Sequence, residues 1–553
     1  MPTSNHKRPS RLLILGLDGT TFDLIKPWAE AGHLPNIARL MAQGSHAPLE
    51  STLPPVTSPA WPTFMTGKNP GKHSVFDFIQ PRAGDFGLVN ATHIKGQTIW
   101  DILSEAGLRV GVINVPVTYP PRPINGFMVT GLLSPQRGEI SYPPDLLDRY
   151  RDELGPYRVA PAIQYRPGAE DPFIEDLNAL IDTRGRYAVR LMQDQPWDCL
   201  MVHFISLDVM QHALWRFMDE SHPQYDPAEA KRYGTAIRDA YARVDEYVGQ
   251  MVEYAERQGA AVIVMSDHGF GPLHWYANLN LLLLDAGLMH LKRDLVTRLK
   301  AFAFRRGISP AGVYRFLARF GLHNLATRVP KSTRNAVIGK FLSFDSVDWT
   351  RTQAYSMGHV GQIYLNLKGR EPQGIVDPGP EADAVLERVE EVLGTLRHPE
   401  TGAPLLERTI RGKDTVHGPF AGQAADLHVI LDGYHTIAFP LFATEGKIIT
   451  RQIRGDSGCH RLHGILIASG AGMRAGATLD NPHIVDLAPT ILHLLGQPVP
   501  SDMDGRPLLE LLEDPGEVVT REVVETDLPG DQDLTPEETA EIEDRLRQLG
   551  YLG

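Results

Sequence analysis

The sequence predicts an α/β protein built on a doubly wound, mostly parallel sheet, and three observations predict it. Short apolar runs at residues 12–17, 110–115, 199–205, 261–265, 362–367, 427–431 and 464–468 are each bounded by polar or glycine-rich residues. Such runs fit strands buried on both faces. Amphipathic, helix-like stretches such as 233–257 and 383–396 alternate with them, which is the order of a sheet covered by helices. Metal-ligand types, finally, stand beside several of these runs, where such sheets bind ligands beyond their strand ends.

Composition narrows the class. A chain of 553 residues can bury a large core and exceeds one average domain. With 54 Lys and Arg against 67 Asp and Glu, the net charge is −13. No basic footprint for nucleic acid is present, so none is expected to bind. An anionic substrate must be captured locally, by metals or a few cations. Two cysteines, Cys199 and Cys459, exclude a disulfide framework and suit a reducing compartment. At the N-terminus basic residues precede an apolar run, but that run is too short for a signal peptide and ends at Asp18. No stretch reaches the roughly 18 to 20 apolar residues of a membrane span. A cytoplasmic location is the expectation.

Two segments interrupt the alternation. Residues 119–172 are rich in Pro and Gly and read as an irregular excursion. Residues 281–345, with RLKAFAFRRG and RVPKSTRNAVIGK, read as an inserted helical cap with a basic face, either solvated or turned to substrate. The expected organisation is an α/β core at 1–280, the cap at 281–345, the rest of the core at 346–513 and an acidic tail at 514–553. The tail ends in an amphipathic pattern suited to docking on the body or on a partner.

Four motifs carry metal chemistry. LLILGLDGT sets Asp18 just past a strand, a place more often held by a helix cap or turn former. In MVHFISLDVMQHALW, Asp208 and His212 are four apart and share a helix face, a spacing that lets both meet one Zn²⁺. His203, inside the preceding apolar run, reads as a hydrogen-bonded core histidine. In AAVIVMSDHGFG, Asp267 and His268 follow a strand and precede a glycine turn. GDSGCHRLHGILIASG offers His460 in a glycine-flanked loop and His463 against a strand, with His460 preferred. These three Asp and three His suffice for two sites of three protein ligands with open positions. A nucleophile is still needed, and the proline-bracketed VTSPAW presents Thr57 or Ser58 at a helix start, where free N–H groups favour phosphate.

The order Asp, hydroxyl residue, Asp-x-x-x-His, Asp-His and late His resembles the alkaline phosphatase superfamily. Within it, TSPAWPTFMTGKNPGKHSVFDF, DVMQH, MSDHG and the closing NPHIVDLAPTILHLLGQPVPSDMDGRPL resemble the type I phosphodiesterase and nucleotide pyrophosphatase branch. The resemblance implies a three-layer core and two divalent metal ions, zinc or alternatively manganese. Asp208, His212 and His460 would hold one; Asp18, Asp267, His268 and the nucleophile would hold the other. The family's spacing of ten residues before the Gly of a Thr-Gly pair, here Thr66-Gly67, selects Thr57, with Ser58 in reserve. The implied reaction is hydrolysis of a small-molecule phosphodiester or pyrophosphate through a phosphothreonine. Alternatives on the same core are a phosphomonoesterase, a phospho- or phosphonotransferase, and an inactive metal-binding scaffold. Thr57 and Trp61 stand where sulfatases of the superfamily have a formylglycine precursor and an arginine, so sulfatase chemistry is not expected. The branch's phosphoryl-binding Asn is replaced by Ala60, which leaves Lys68, Asn69, Lys72 and Asn278 as possible donors to substrate.

Overall fold

The computed structural model describes residues 9–82, 85–136, 138–308, 342–358, 360–438, 442, 446–451, 455–523, 530 and 532–548. They form two compact units, one of residues 9–271, 416–421 and 460–548, the other of residues 272–415 and 422–459.

The first unit is built on an eight-stranded sheet. Its strands are β1 (Leu12–Leu17), β2 (Ser45–Glu50), β3 (Val110–Ile113), β4 (Gly126–Val129), β5 (Ser141–Tyr142), β6 (Cys199–Phe204), β7 (Ala261–Met265) and β8 (His463–Gly470). Their order is β2-β8-β7-β1-β6-β3-β4-β5. The five strands β7, β1, β6, β3 and β4 run parallel, with Leu12 level with both Cys199 and Ala261. Every residue of β1, β6 and β7 is buried, which is why those stretches read as unbroken apolar runs. Helices Glu170–Asp194, Ser206–Met218 and Ala236–Arg257 pack on one another, and the last also meets β1 and β7. A second group, Thr57–Thr66, Ile99–Glu105 and Leu487–Leu494, packs together separately. Gly16 of β1 admits the first of these, since a Cβ there would lie 2.7 Å from Trp61 Cη2.

One strand departs from expectation in direction. The run 464–468 lies in β8, which is antiparallel to both β7 and β2. A parallel entry needs a crossover, usually a helix; here a short strand, Gly458–Arg461, leads directly into β8. The beginning of β8 therefore meets the end of β7: Leu466 is level with Met265, and Ser266 N–H donates to Ile465 O at 3.0 Å. Residues just ahead of β8 thus reach the sheet edge where the parallel strands finish.

The terminal helix Pro536–Gln548 docks on the first unit. Ile542 and Leu546 are fully buried, Tyr119 Oη donates to Glu538 at 2.5 Å, and Gln136 N–H donates to Glu541 at 2.6 Å. The irregular excursion supplies that docking surface.

The second unit has its own sheet, Ala354–Ser356, Gln362–Leu365, Leu427–Leu431, Thr436–Ala438, Trp275–Ala277 and Ile449–Arg451 in spatial order, with Leu406–Arg411 beside Leu427–Leu431. The runs 362–367 and 427–431, expected in the doubly wound sheet, pair antiparallel with each other here instead. Burial makes a strand apolar whichever sheet holds it, so the run alone could not name its partner. Helix Pro380–Leu393 contributes Val385, Leu386, Val389 and Leu393 to this core. From the segment 281–345, helix Leu295–Arg305 is described, whereas residues 309–341, including RVPKSTRNAVIGK, lie outside the described residues. Among the described residues no helix is long and apolar enough to cross a membrane.

Candidate metal centre

Each ligand candidate is placed by the element that precedes it. Asp18 follows β1 at the sheet edge, and the chain turns away at Gly19 with φ +66°. Glycine is required there twice over, because a Cβ would also lie 2.9 Å from Phe270 and 3.1 Å from Asp208 Oδ1. Asp208 and His212 project from the helix Ser206–Met218 that follows β6. Asp267 and His268 follow β7, and His460 precedes β8. All but His212 are fully or nearly fully buried.

The donor atoms converge in two groups. His460 Nε2 lies 3.0 Å from His212 Nε2 and 3.3 Å from Asp208 Oδ1, while His212 Nε2 is 3.6 Å from that same oxygen. His268 Nε2 lies 3.3 Å from Asp267 Oδ2, 3.5 Å from Asp18 Oδ1 and 3.2 Å from Thr57 Oγ1. Ligand atoms about 2.0–2.2 Å from a tetrahedral zinc stand about 3.3–3.6 Å apart, so both groups have the span of a coordination shell. His268 is shared between them: it groups with Asp208 and His460 as well as with Asp18 and Asp267, and its ring stacks on His460 at 3.7 Å.

The donor chemistry fits cations. His268 Nδ1–H donates to Gly269 O at 3.1 Å and His460 Nδ1–H to Pro55 O at 2.8 Å. Both rings therefore turn an Nε2 lone pair inward, as metal-binding imidazoles do when a carbonyl fixes the tautomer. Asp18 Oδ1 and Asp267 Oδ2 are buried and accept no hydrogen bond among the described residues. Buried oxygens of that kind are costly unless a partner compensates them. Burial, then the charges of Asp267 and Asp208, pushes the Asp18 carboxyl well above its ordinary range. Burial and Asp208 raise Asp267 to about 7. Asp208 goes the other way: burial would raise it, but His212 and His460 outweigh that and hold it low. Burial, followed by His460, keeps His268 neutral by lowering its pKa. Divalent cations would relieve the carboxylate repulsion and fill the lone-pair clusters together.

Thr57 opens the helix Thr57–Thr66, preceded by extended Val56 and closed by left-handed Gly67, whose N–H donates to Thr63 O at 2.9 Å. At this first position the N–H groups of Thr57 and Ser58 have no intrahelical acceptor. Thr57 Oγ1 points at His268, whereas Ser58 Oγ is buried without a hydrogen-bond partner among the described residues.

The residues considered as substrate donors have structural partners. Lys68 Nζ pairs with Asp502. Lys72 Nζ pairs with Asp504, and Asn69 donates to that carboxylate from N–H and Nδ2, each at 2.8 Å. Asn278, in the second unit, caps helix Leu279–Asp285 by accepting from Leu281 N–H at 2.9 Å. His463 is exposed, while His460 is buried beside Asp208.

Several supporting residues gave weaker signals. His203 spans Asp18 and Asn114, with Nε2 2.8 Å from Asp18 Oδ2 and Nδ1 3.0 Å from Asn114 O. Its place in a strand run marked it as buried, not as the residue behind a ligand. Phe270 meets His212 edge-on at 4.8 Å and His460 at 5.6 Å, walling both rings. Gln211 Nε2 donates to Gly19 O at 2.9 Å and its Oε1 accepts from Tyr241 Oη at 3.0 Å, fixing the turn after Asp18.

Comparison with known proteins shows the family and the fold. A family model described as type I phosphodiesterase / nucleotide pyrophosphatase matches residues 12–432. No curated protein matches the chain in a sequence search. Among solved structures, phosphonoacetate hydrolase from Sinorhizobium meliloti 1021 in complex with phosphonoacetate is similar in fold. It has a TM-score of 0.51 and 13% identity, over 87% of this chain and 95% of that one. Its complex with phosphonoformate gives 0.50 and 12% over the same shares. Human ectonucleotide pyrophosphatase / phosphodiesterase 5 gives 0.45 and 14%, over 91% of this chain and 100% of that one.

Proposed function

The chain belongs to the type I phosphodiesterase / nucleotide pyrophosphatase family and is a phosphoester hydrolase, and from that premise we propose a two-metal phosphodiesterase or pyrophosphatase acting through Thr57. One observation carries the proposal: six Asp and His side chains and one threonine hydroxyl converge in two clusters with nearest donor separations of 3.0–3.6 Å. Asp208, His212 and His460 would hold one cation, and Asp18, Asp267, His268 and Thr57 the other. Without thiolates, this set accommodates zinc or manganese. When bound, the two cations supply charge neutralisation for the transferring group and lower the pKa of the nucleophile.

The chain's own residues account for the rest. Thr57 Oγ1, its proton given up to solvent, attacks phosphorus in line; its bond to phosphorus forms as the bond to the leaving oxygen breaks, and that oxygen takes up a proton from solvent. The N–H groups of Thr57 and Ser58 face non-bridging oxygens at the helix start, where the helix dipole also favours the anion. Water then displaces Thr57 Oγ1 from phosphorus, restoring the hydroxyl and releasing phosphate or a monoester. Ala60 offers no side-chain donor, so these backbone groups take a larger share of phosphoryl recognition. The substrate is a small phosphate ester.

The test is a parallel assay of bis-aryl phosphate, aryl phosphate, aryl phosphonate monoester and aryl sulfate, with metal content measured on the same preparations. Preferential turnover of the diester by protein carrying about two metal ions per chain is expected. Full activity of metal-free protein, or preference for the sulfate, overturns the reading.

A further inference from the structure

Helix Leu295–Arg305 of the second unit is held by one face and leaves an apolar face largely exposed among the described residues, with Arg306 lying over the Phe302 ring at 4.5 Å. Thr297 and Phe304 are its buried residues, with Ala301 partly buried between them. The Phe304 ring meets Phe442 edge-on at 6.0 Å, and Arg305 pairs with Asp285 at 2.5 Å. On the other side Leu295, Val296, Leu299 and Phe302 are 73%, 62%, 60% and 57% exposed, and Ile308 beyond the helix end is 54% exposed. Residues 295, 299 and 302 follow i, i+4, i+7 spacing and form one stripe, with Val296 at its edge. Exposed apolar residues scattered singly need no explanation, but a contiguous patch does.

Charge frames this stripe. At 100° per residue, Arg298 and Arg305 fall on one flank and Lys300 on the other. Lys292, Arg293 and Arg306 stand at the two ends. The acidic residue within this stretch, Asp294, accepts from Thr297 N–H at 2.9 Å as the helix cap. These cations are concentrated here in a chain of net charge −13. Pairing with a second copy through a two-fold axis would set the two cationic borders against each other. A bilayer with anionic headgroups meets both features at once: apolar side chains enter the acyl boundary while Lys and Arg stems reach up to phosphates.

We propose that helix Leu295–Arg305 docks the protein on an anionic phospholipid surface, lying in the interface with Leu295, Val296, Leu299 and Phe302 inserted. Its 11 residues are too few to cross a bilayer, so the attachment is peripheral. It is reversible and salt-sensitive, because each cation contributes roughly a fivefold gain in partitioning that ions screen.

Sedimentation of the full chain with vesicles tests this. Vesicles of phosphatidylcholine with about a third phosphatidylglycerol should carry the protein down, and pure phosphatidylcholine should do so far less. The double variant Leu299→Ser/Phe302→Ser should lose about tenfold or more in partitioning. It should keep its unfolding temperature and its turnover of a soluble aryl phosphate ester, since neither side chain is buried or near the metal-ligand cluster in sequence. A second variant, Lys292→Gln/Arg293→Gln/Arg298→Gln, should lose binding to anionic vesicles and serves if the first misfolds. Equal binding of both variants and the parent, equal binding to neutral vesicles, or no binding at all overturns the proposal. So does a parent dimer that the double variant dissociates, which would assign the stripe to a second copy.

Discussion

His203 Nε2 stands 2.8 Å from Asp18 Oδ2, on a fully buried ring whose other nitrogen lies 3.0 Å from Asn114 O. The ring is also packed edge-on against Trp61 at 4.8 Å. One carboxylate oxygen of Asp18 is thus held from behind while the other, Oδ1, faces the candidate ligand cluster.

That relationship predicts the effect of His203→Ala. Residues behind a metal ligand typically contribute about 10–100-fold in metal affinity or activity. The variant should bind zinc or manganese more weakly by such a factor and recover part of its rate when excess metal is supplied. Metal titration by calorimetry, together with rate against metal concentration, checks both.

Thr57 and Ser58 separate cleanly. Thr57→Ala should lower turnover of an aryl phosphodiester roughly a thousandfold or more. Ser58→Ala should stay within about threefold. Because Ser58 Oγ is buried without a partner among the described residues, removing it should leave stability equal or slightly raised, by up to about 1 kcal/mol. Steady-state kinetics and thermal unfolding of both variants test the pair.

Metal affinity should rise with pH up to about neutrality. In the metal-free protein Asp267 has its pKa raised to about 7 by burial and by Asp208, so at pH 6 it is mostly protonated. A cation needs the carboxylate, and uptake at pH 6 must therefore expel a proton that is already gone at pH 8. In the metal-free protein this raised group opposes folding as pH climbs, because the unfolded chain loses the proton near 4 and the folded chain keeps it to about 7. Calorimetry in two buffers of different ionisation enthalpy should show more protons released at pH 6 than at pH 8. Equal release at both would remove Asp267 from the ligand set.

Asp504 should act on stability more than on chemistry. It accepts from Asn69 N–H and Nδ2 at 2.8 Å and lies 3.0 Å from His417 Nε2, besides its pair with Lys72. Asp504→Ala should cost about 2 kcal/mol in denaturant unfolding while leaving metal content unchanged. Burial alone would raise this carboxyl, but Lys72 and the Asn69 N–H outweigh it and lower the pKa. Its contribution is therefore present above the unfolded value near 4 and lost as pH falls through the folded one. The gap between parent and variant should close in acid.

Most of the parallel sheet was legible because burial on both faces leaves an unmistakable run: residues 12–17, 199–205 and 261–265 contain three adjacent strands. Pairing was not legible. The run 427–431 is as buried as β7, yet belongs to another sheet, since composition reports burial and not which backbone supplies the hydrogen bonds. The edge strand Ser45–Glu50 escaped notice because its alternating burial falls on small and mixed residues. The ligand candidates were visible as residue types at strand ends. Partners far away in sequence were not: nothing near Lys68 announces that Asp502, 434 residues later, takes its charge.

The reversed direction of β8 also sets a schedule for synthesis. Asp18, Asp208, Asp267 and His268 are all translated before the second unit begins, whereas His460 comes only after it and enters just ahead of the strand that closes against β7. A nascent chain therefore carries three crowded carboxylates without the last imidazole until most of its length has emerged. Stalled or truncated products ending before residue 460 lack a full donor set. On the proposed ligand set, metal loading would wait until synthesis has passed residue 460.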